Sequence, residues 1–484
     1  MSFVFFDTET TGLRKGLDQI VHFAAIKTDN DLLEVERFET RCRLLPYVVP
    51  NPMALRISGA TIDRLNDREL PSHDAMVANI QRNLLDWSPS IFVGYNSIDF
   101  DEEMLRQALF QTLRPAFLTS NHRNGRADAL TLMMAASAVS PAAIGVPMGS
   151  NGRATFRLAP MAAANNVTHS QAHDAMGDAE ATLALSRLVR ERSPDVWQRF
   201  VRFSNRAAVR DFVDSGEGFV LTEFFGGNAY HAPVVCVGQE VGTPNGRLCL
   251  TLDCDLKRLI SSTDDDLQVA LAERPSPIRR LRVNASPTVT ALSDASEQML
   301  NGKVIDRLDE IARSVRQDQV FCERLTTCYA ANRPPWPKSP YVEKQIYDGF
   351  PSQEDERFMI DFHDASWPDA YSIVQRMQDE RLRTFGLRLI YLGNKSTLPE
   401  DVRLDVEKEM IARLVDDGPE GYSLQRALRE TDELLKDEPE SEILSGYRDY
   451  LIGRIERVRE FREKYFGINA ADQVPVTPNA LNTR

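Results

Sequence analysis

No apolar run in this chain approaches the roughly 20 residues a helix needs to cross a bilayer, so no membrane-spanning helix is predicted. The N-terminus enters a strand-like run at once, with no basic or apolar leader ahead of it, and the expectation is a cytoplasmic protein. Cysteine is scarce: Cys42, Cys236, Cys249, Cys254, Cys322 and Cys328 are spread over 484 residues with no CxxC among them. That excludes a disulfide framework and leaves reduced core thiols. An excess of basic charge is also missing, with 57 Lys and Arg against 71 Asp and Glu, a net of −14. Much of the acidity lies between residues 400 and 464, where 19 acidic side chains face 12 basic ones. Any basic track is therefore expected on one face only, with an acidic back. There are no internal repeats and no low-complexity tract. Hydrophobic content of 42% and charged content of 26% are ordinary for a soluble chain of two to three domains.

What the chain does have is a set of acids in a telling order. Asp7 and Glu9 lie in Phe3-Val-Phe-Phe-Asp7-Thr-Glu9-Thr-Thr-Gly12, at the end of a β-rich run that reads as a buried strand. Residues two apart in an extended chain point to the same side, so this pair can converge on one cation while Thr8 faces away. Hard cations such as Mg²⁺ prefer such oxygens. Alone, the same spacing also suits a solvated turn. Asp101 follows a second strand, Ile91–Gly94, and opens a helical pattern over 101–113. It reads either as an N-cap or as a ligand just past a strand end, where open α/β sheets hold their ligands. His173 and Asp178 lie in His173-Asp-Ala-Met-Gly-Asp178, near the start of a helical pattern over 170–192 that Ser170 or Asp174 would cap. They converge most easily if His173 precedes the helix and Asp178 is on it. Histidine suits proton abstraction near neutral pH. A His169/His173 zinc pair is a rival, weakened by the lack of the glutamate of an H-E-x-x-H motif. Together, D-x-E, then D, then H-x4-D suits two hard divalent cations and a water activated against phosphorus.

On these residues the chain resembles the DEDDh superfamily of 3′→5′ exonucleases, and more closely the bacterial exodeoxyribonuclease I family. The closer likeness rests on Gly94-Tyr-Asn-Ser-Ile-Asp-Phe-Asp101, Thr155-Phe-Arg157-Leu, Ala172-His-Asp-Ala-Met-Gly-Asp178 and Tyr347-Asp-Gly-Phe350. It is firm over residues 1–190 and looser beyond. The family usually carries aromatics where this chain has Thr8 and Thr11. The resemblance implies Mg²⁺, two per site with Mn²⁺ as a substitute, held by Asp7, Glu9, Asp101 and Asp178, with His173 taking the proton of the attacking water. It implies stepwise release of nucleoside 5′-monophosphates from the 3′ end of single-stranded DNA, in repair or recombination. Glu9, Thr10, Thr11, Leu13, Arg106 and Arg157 would contact the strand, Arg157 through its planar fork. Phe117 and His122 offer rings for stacking, or simple packing. The acidic C-terminal tail of single-stranded DNA-binding protein is the implied partner of a monomer. A DEDDh exoribonuclease and a non-catalytic single-strand-binding scaffold are the alternatives.

The implied architecture is α/β: a ribonuclease-H-like exonuclease domain with a mixed sheet over 1–195, an SH3-like β-rich domain over 200–345 and a helical domain over 346–467. Residues 468–484 read as a disordered tail. The first domain is predicted to alternate strands with helices over 74–87, 101–113, 127–138 and 170–192, with a flexible glycine-rich loop over 145–152. A barrel-like β region with a helix over 304–315 follows. The linker Arg333-Pro-Pro-Trp-Pro-Lys-Ser-Pro340 leads to helices over 352–362, 370–385, 399–415, 423–436 and 442–466.

Overall fold

A computed structural model describes residues 2–169, 174–333 and 337–466. The expected tail over 468–484 and part of the expected linker lie outside the described residues, as does His173.

The first sheet is mixed and runs β3-β2-β1-β4-β5. Its strands are β1 (Phe3–Thr10), β2 (Ile20–Thr28), β3 (Glu34–Arg41), β4 (Ile91–Gly94) and β5 (Gly125–Asp128). β1 is central because both its faces are apolar. Phe3 and Phe5 pack under the helices Ala129–Val139, Ala175–Arg192 and Pro194–Phe203, whereas Val4 and Phe6 pack under His73–Asp86 and Asp101–Gln111. A strand buried on both faces reads as a continuous apolar run, as this one does. β4 pairs in parallel with β1 only from Phe3↔Ile91 to Phe5↔Val93, so β1 runs on past it to Thr10. That overhang carries Asp7 and Glu9.

The second sheet is antiparallel with the order β10-β6-β7-β8-β9. It comprises β6 (Phe219–Phe225), β7 (Asn228–Gln239), β8 (Gly246–Thr251), β9 (Ile278–Arg282) and β10 (Thr288–Ala291). Its hydrogen-bonded order sets β9 and β10 at opposite edges, with β10 returning to pair beside β6. Two helices not predicted from the pattern, Pro194–Phe203 and Arg206–Val213, join the sheets: Phe203, Val209 and Val213 pack on Phe219 and Leu221.

The region over 346–466 is helical, as predicted, and folds back on the first domain. Val406, Met410, Tyr447 and Leu451 pack on Val21, Tyr47 and Val48, while Phe358 and Phe385 pack on Phe110 and Leu113. The helix expected over 370–385 is two helices, Trp367–Arg376 and Glu380–Asn394. Asp355 causes the break by accepting the Gln378 and Asp379 N–H groups, and Asp379 caps the second helix. The loop over 145–152, expected to be flexible, forms a small hairpin with a Met148–Ala154 bridge. All six cysteines are free thiols, and five are buried. Among the described residues no helix is long and apolar enough to cross a membrane.

Candidate nuclease site

Three carboxylates meet at the overhang of β1. Asp7 and Glu9 point to one side of the strand, and Asp178 reaches them from the first turn of the helix Ala175–Arg192. Ligand oxygens of the three all lie within 4.8 Å of one another. Asp101 completes the set from the other side of β1. The turn that delivers it begins at Gly94, where a Cβ would lie 2.4 Å from the Ser97 Cβ. Asp128 then holds the turn, accepting the N–H groups of Asn96 at 2.8 Å and Ile98 at 3.2 Å. Asp101 is not a cap: it is the first residue of its helix, with Phe100 at the cap position. Its Oδ1 instead accepts the Thr8 hydroxyl at 2.5 Å. Thr8 does face away from Asp7 and Glu9, as alternation requires, but not into an inert environment.

The electrostatics of this cluster are those of like charges crowded together and partly desolvated. Burial, then the charges of Asp101, Asp178 and Glu9, pushes the Asp7 carboxyl well above its usual range. Burial, then Asp178 and Asp101, pushes Glu9 up to about 8. Burial pushes Asp101 up to about 7 against the opposing Thr8 hydrogen bond. Carboxylates that repel one another at this range are stabilised as anions by a hard cation, and four oxygen-bearing side chains fit divalent ions such as Mg²⁺.

His173 lies outside the described residues. His169 does not: its Nε2 is 2.6 Å from Asp178 Oδ1, so it pairs with a carboxylate of the cluster. Beside it sits a second group, His22, Glu39 and Asp174. Arg41 already occupies that group, its Nη2 lying 2.9 Å from Glu39, 2.9 Å from Asp174 and 3.2 Å from His22. A guanidinium thus ties the start of the Asp178 helix to the sheet edge.

The predicted strand-contacting residues divide. Leu13 is 80% exposed, presented by a loop that Arg14 and Asp18 brace through the Arg14 N–H at 2.7 Å and the guanidinium. Gly12 is required there, since a Cβ would meet the Asp18 carboxylate at 2.6 Å. Thr10 donates to the Gly12 carbonyl at 2.8 Å. Thr11 is turned inward, its hydroxyl accepting the Gln19 N–H at 2.9 Å, so its side chain serves the loop. Glu9, Thr10 and Leu13 line a cavity of about 780 Å³, whose far wall is Pro419–Tyr422 and Arg426 from the helical region. Arg106 is largely buried, paired with Glu102 and Glu103, and borders a second cavity of about 370 Å³ with Lys15, Arg126, Arg282 and Lys344. Lys15 and Lys344 line both cavities. Arg157 is exposed at the start of the helix Leu158–Ala164, and His122 is exposed in a turn.

Phe117 forms a ridge of tilted rings with two aromatics the sequence did not single out for this role. Its centroid is 6.2 Å from Tyr347 and 5.8 Å from Phe350, which is 80% exposed. Asp128 was also missed, although an aspartate closing a strand just before an apolar helical pattern is a readable signal. The links from Thr8 to Asp101 and from His169 to Asp178 had no local signal.

The exonuclease family model RNase_T matches residues 4–186. Exodeoxyribonuclease I of Haemophilus influenzae is 28% identical over 406 residues, covering 80% of this chain and 82% of that protein. Exodeoxyribonuclease I of Escherichia coli is 27% identical over 375 residues, covering 74% and 78%. Among solved structures, Escherichia coli Exonuclease I in complex with a dA16 oligonucleotide superposes with a TM-score of 0.80 at 23% identity, covering 94% of this chain and 99% of that one. A moderately thermophilic Exonuclease I from Methylocaldum szegediense gives the same values. These two likenesses establish the fold.

Proposed function

Because the chain belongs to the exodeoxyribonuclease I family of exonucleases, we propose that it degrades single-stranded DNA from the 3′ end to nucleoside 5′-monophosphates. The observation that carries this reading is the convergence of Asp7, Glu9 and Asp178, with Asp101 alongside, at the rim of a cavity that displays Leu13. Asp7, Glu9 and Asp178 would hold one divalent cation and Asp7 with Asp101 a second; such a pair, when bound, activates water and stabilises the departing 3′-oxygen. His173 takes the water's proton. Leu13, on its braced loop, packs against the terminal nucleotide, and Thr10 and Glu9 contact it from the strand end. Mg²⁺ is the cation proposed, with Mn²⁺ able to replace it.

The strand's path follows the two cavities joined at Lys15 and Lys344. Several of the cations there already pair with acids, Arg126 with Glu102 and Arg282 with Asp99. The path is therefore only moderately basic, and the Phe117, Tyr347 and Phe350 ridge contributes stacking to unpaired bases. On this reading residues 1–195 form the nuclease domain, 200–345 the SH3-like domain, and 346–467 a helical lobe that closes over a single strand. One Exonuclease I structure of similar fold is described as an SSB/Exonuclease I complex; by analogy the acidic tail of single-stranded DNA-binding protein is the partner proposed for this monomer.

The test is a single-stranded oligonucleotide labelled at either end, with and without Mg²⁺, beside its duplex and an RNA of the same sequence. The expected result is Mg²⁺-dependent loss of the 3′ label as mononucleotide, with duplex and RNA spared. Preferential loss of the RNA would move the assignment to an exoribonuclease; binding with no degradation would leave a scaffold.

A further inference from the structure

We propose that Thr8 is a positioning residue, whose hydroxyl orients the Asp101 carboxylate and thereby sets the second cation position. This rests on the nuclease reading above. Asp101 is the one member of the acidic set that comes from beyond the end of β4, where no ladder hydrogen bonds tie its neighbourhood to β1. Its backbone is placed by Asp128, which grips the Asn96 and Ile98 N–H groups. The backbone N–H groups of Asp101 and Thr8 also reach the carboxyl, but the last torsion of an aspartate is broad and the carboxylate plane still has to be fixed.

The Thr8 hydroxyl is the side-chain donor that sets it. Thr8 is 6% exposed and Asp101 5%, and the two oxygens are 2.5 Å apart, in the range of a short hydrogen bond to an acid group. Because Thr8 lies between Asp7 and Glu9 in sequence, one strand both supplies two ligands and steers a third from the opposite side. Hydrogen bonds that orient ligating carboxylates typically change metal affinity or activity 10- to 100-fold when lost. Among the described residues Thr8 is the side chain that donates to Asp101, and the other contacts to the carboxyl come from the backbone N–H groups of Asp101 and Thr8.

The experiment compares Thr8→Val, which keeps the shape and loses the donor, with Thr8→Ser, which keeps the donor, and with Asp101→Asn. Thr8→Ala is carried alongside in case valine overpacks the site. Three quantities are read on the full chain: the melting midpoint without metal, the midpoint shift on Mn²⁺ titration, and kcat and KM for a single-stranded oligonucleotide across Mg²⁺ concentrations. The expected outcome is a near-normal metal-free midpoint for Thr8→Val, with half-saturation by Mn²⁺ and Mg²⁺ raised about 10-fold or more. KM for the strand should stay unchanged, and Thr8→Ser should fall within about 3-fold of the parent. Wild-type metal dependence in both Thr8→Val and Thr8→Ala, with Asp101→Asn inactive, would overturn the proposal and leave the site reading intact. Full activity in Asp101→Asn would overturn the site reading itself.

Discussion

His169 Nε2 lies 2.6 Å from Asp178 Oδ1, and the His169 side chain is almost wholly enclosed. A histidine so placed is positioned to orient the carboxylate it touches, a role distinct from the one proposed for His173. In the His169/His173 zinc alternative the contact engages the Nε2 of His169, while His173 lies outside the described residues. His169→Ala is expected to weaken the Mg²⁺ dependence by about 10-fold, within the range for groups that orient ligands. His173→Ala is expected to lower kcat by about 10²- to 10⁴-fold at saturating Mg²⁺, the usual contribution of a general base. Steady-state rates across Mg²⁺ concentrations separate the two; equal effects of both variants on Mg²⁺ half-saturation would contradict this division.

Asp7 stands at the centre of the repelling set, so its replacement has opposite consequences for activity and stability. Asp7→Asn is expected to cut degradation of a 3′-labelled strand by about 10³-fold, equivalent to several kcal/mol of lost transition-state stabilisation. In metal-free buffer the same variant should melt at or above the parent's temperature, because one buried like charge is gone. Calorimetry with and without Mg²⁺ checks this: the parent should gain more from the ion than the variant does.

Glu343 anchors the helical region to the chain that leads into it. It is buried with Arg388 at 2.5 Å and with Arg413, and Arg388 also holds Glu409. Burial alone would raise the Glu343 carboxyl, but the two guanidinium groups outweigh it and bring it down to about 2. A depressed folded-state value means stability that is fully present above the ordinary glutamate range near 4.5 and lost as pH falls from there toward 2. Glu343→Ala should cost about 3–5 kcal/mol at neutral pH, as for other broken buried pairs. It should also flatten the acid limb between pH 4.5 and 2. Urea melts at several pH values measure both.

Phe350 is exposed and packs at a tilt against Phe117, a ring arrangement with little to contribute to the core. Phe350→Ala should leave the melting midpoint within experimental scatter. Binding of a single-stranded oligonucleotide should weaken by about 1–3 kcal/mol, or roughly 5- to 150-fold, if bases stack there. Fluorescence anisotropy in Ca²⁺ reads the binding, and an unchanged affinity would remove the ridge from the strand's path.

Leu13 makes the corresponding case at the 3′ end. At 80% exposure its truncation to alanine should change stability by less than about 0.5 kcal/mol. KM for single-stranded DNA should rise while Mg²⁺ half-saturation stays constant. A change in metal dependence instead would mean the loop acts on the acids.

Local pattern carried much of this protein. The double-sided apolar run Phe3 to Phe6 marked a buried strand, and the bounds of Ile91–Gly94 and Glu442–Phe466 agree with their periodicity and punctuation. The identities and order of Asp7, Glu9, Asp101 and Asp178 were legible because each sits at a strand end or helix start, where chemistry and backbone geometry coincide. What the linear order left open was every contact made at long separation. The break at Met377 depends on Asp355, more than twenty residues away, and no glycine or proline announces it. Thr8 looked like the idle face of a strand until the turn from Gly94 brought Asp101 against it. The inward turn of Thr11 likewise depends on Gln19 and Asp18. Alternation and helical spacing describe which way a side chain points from its own backbone; which partner it finds there is decided by the packing of distant segments, and only the folded chain supplies that.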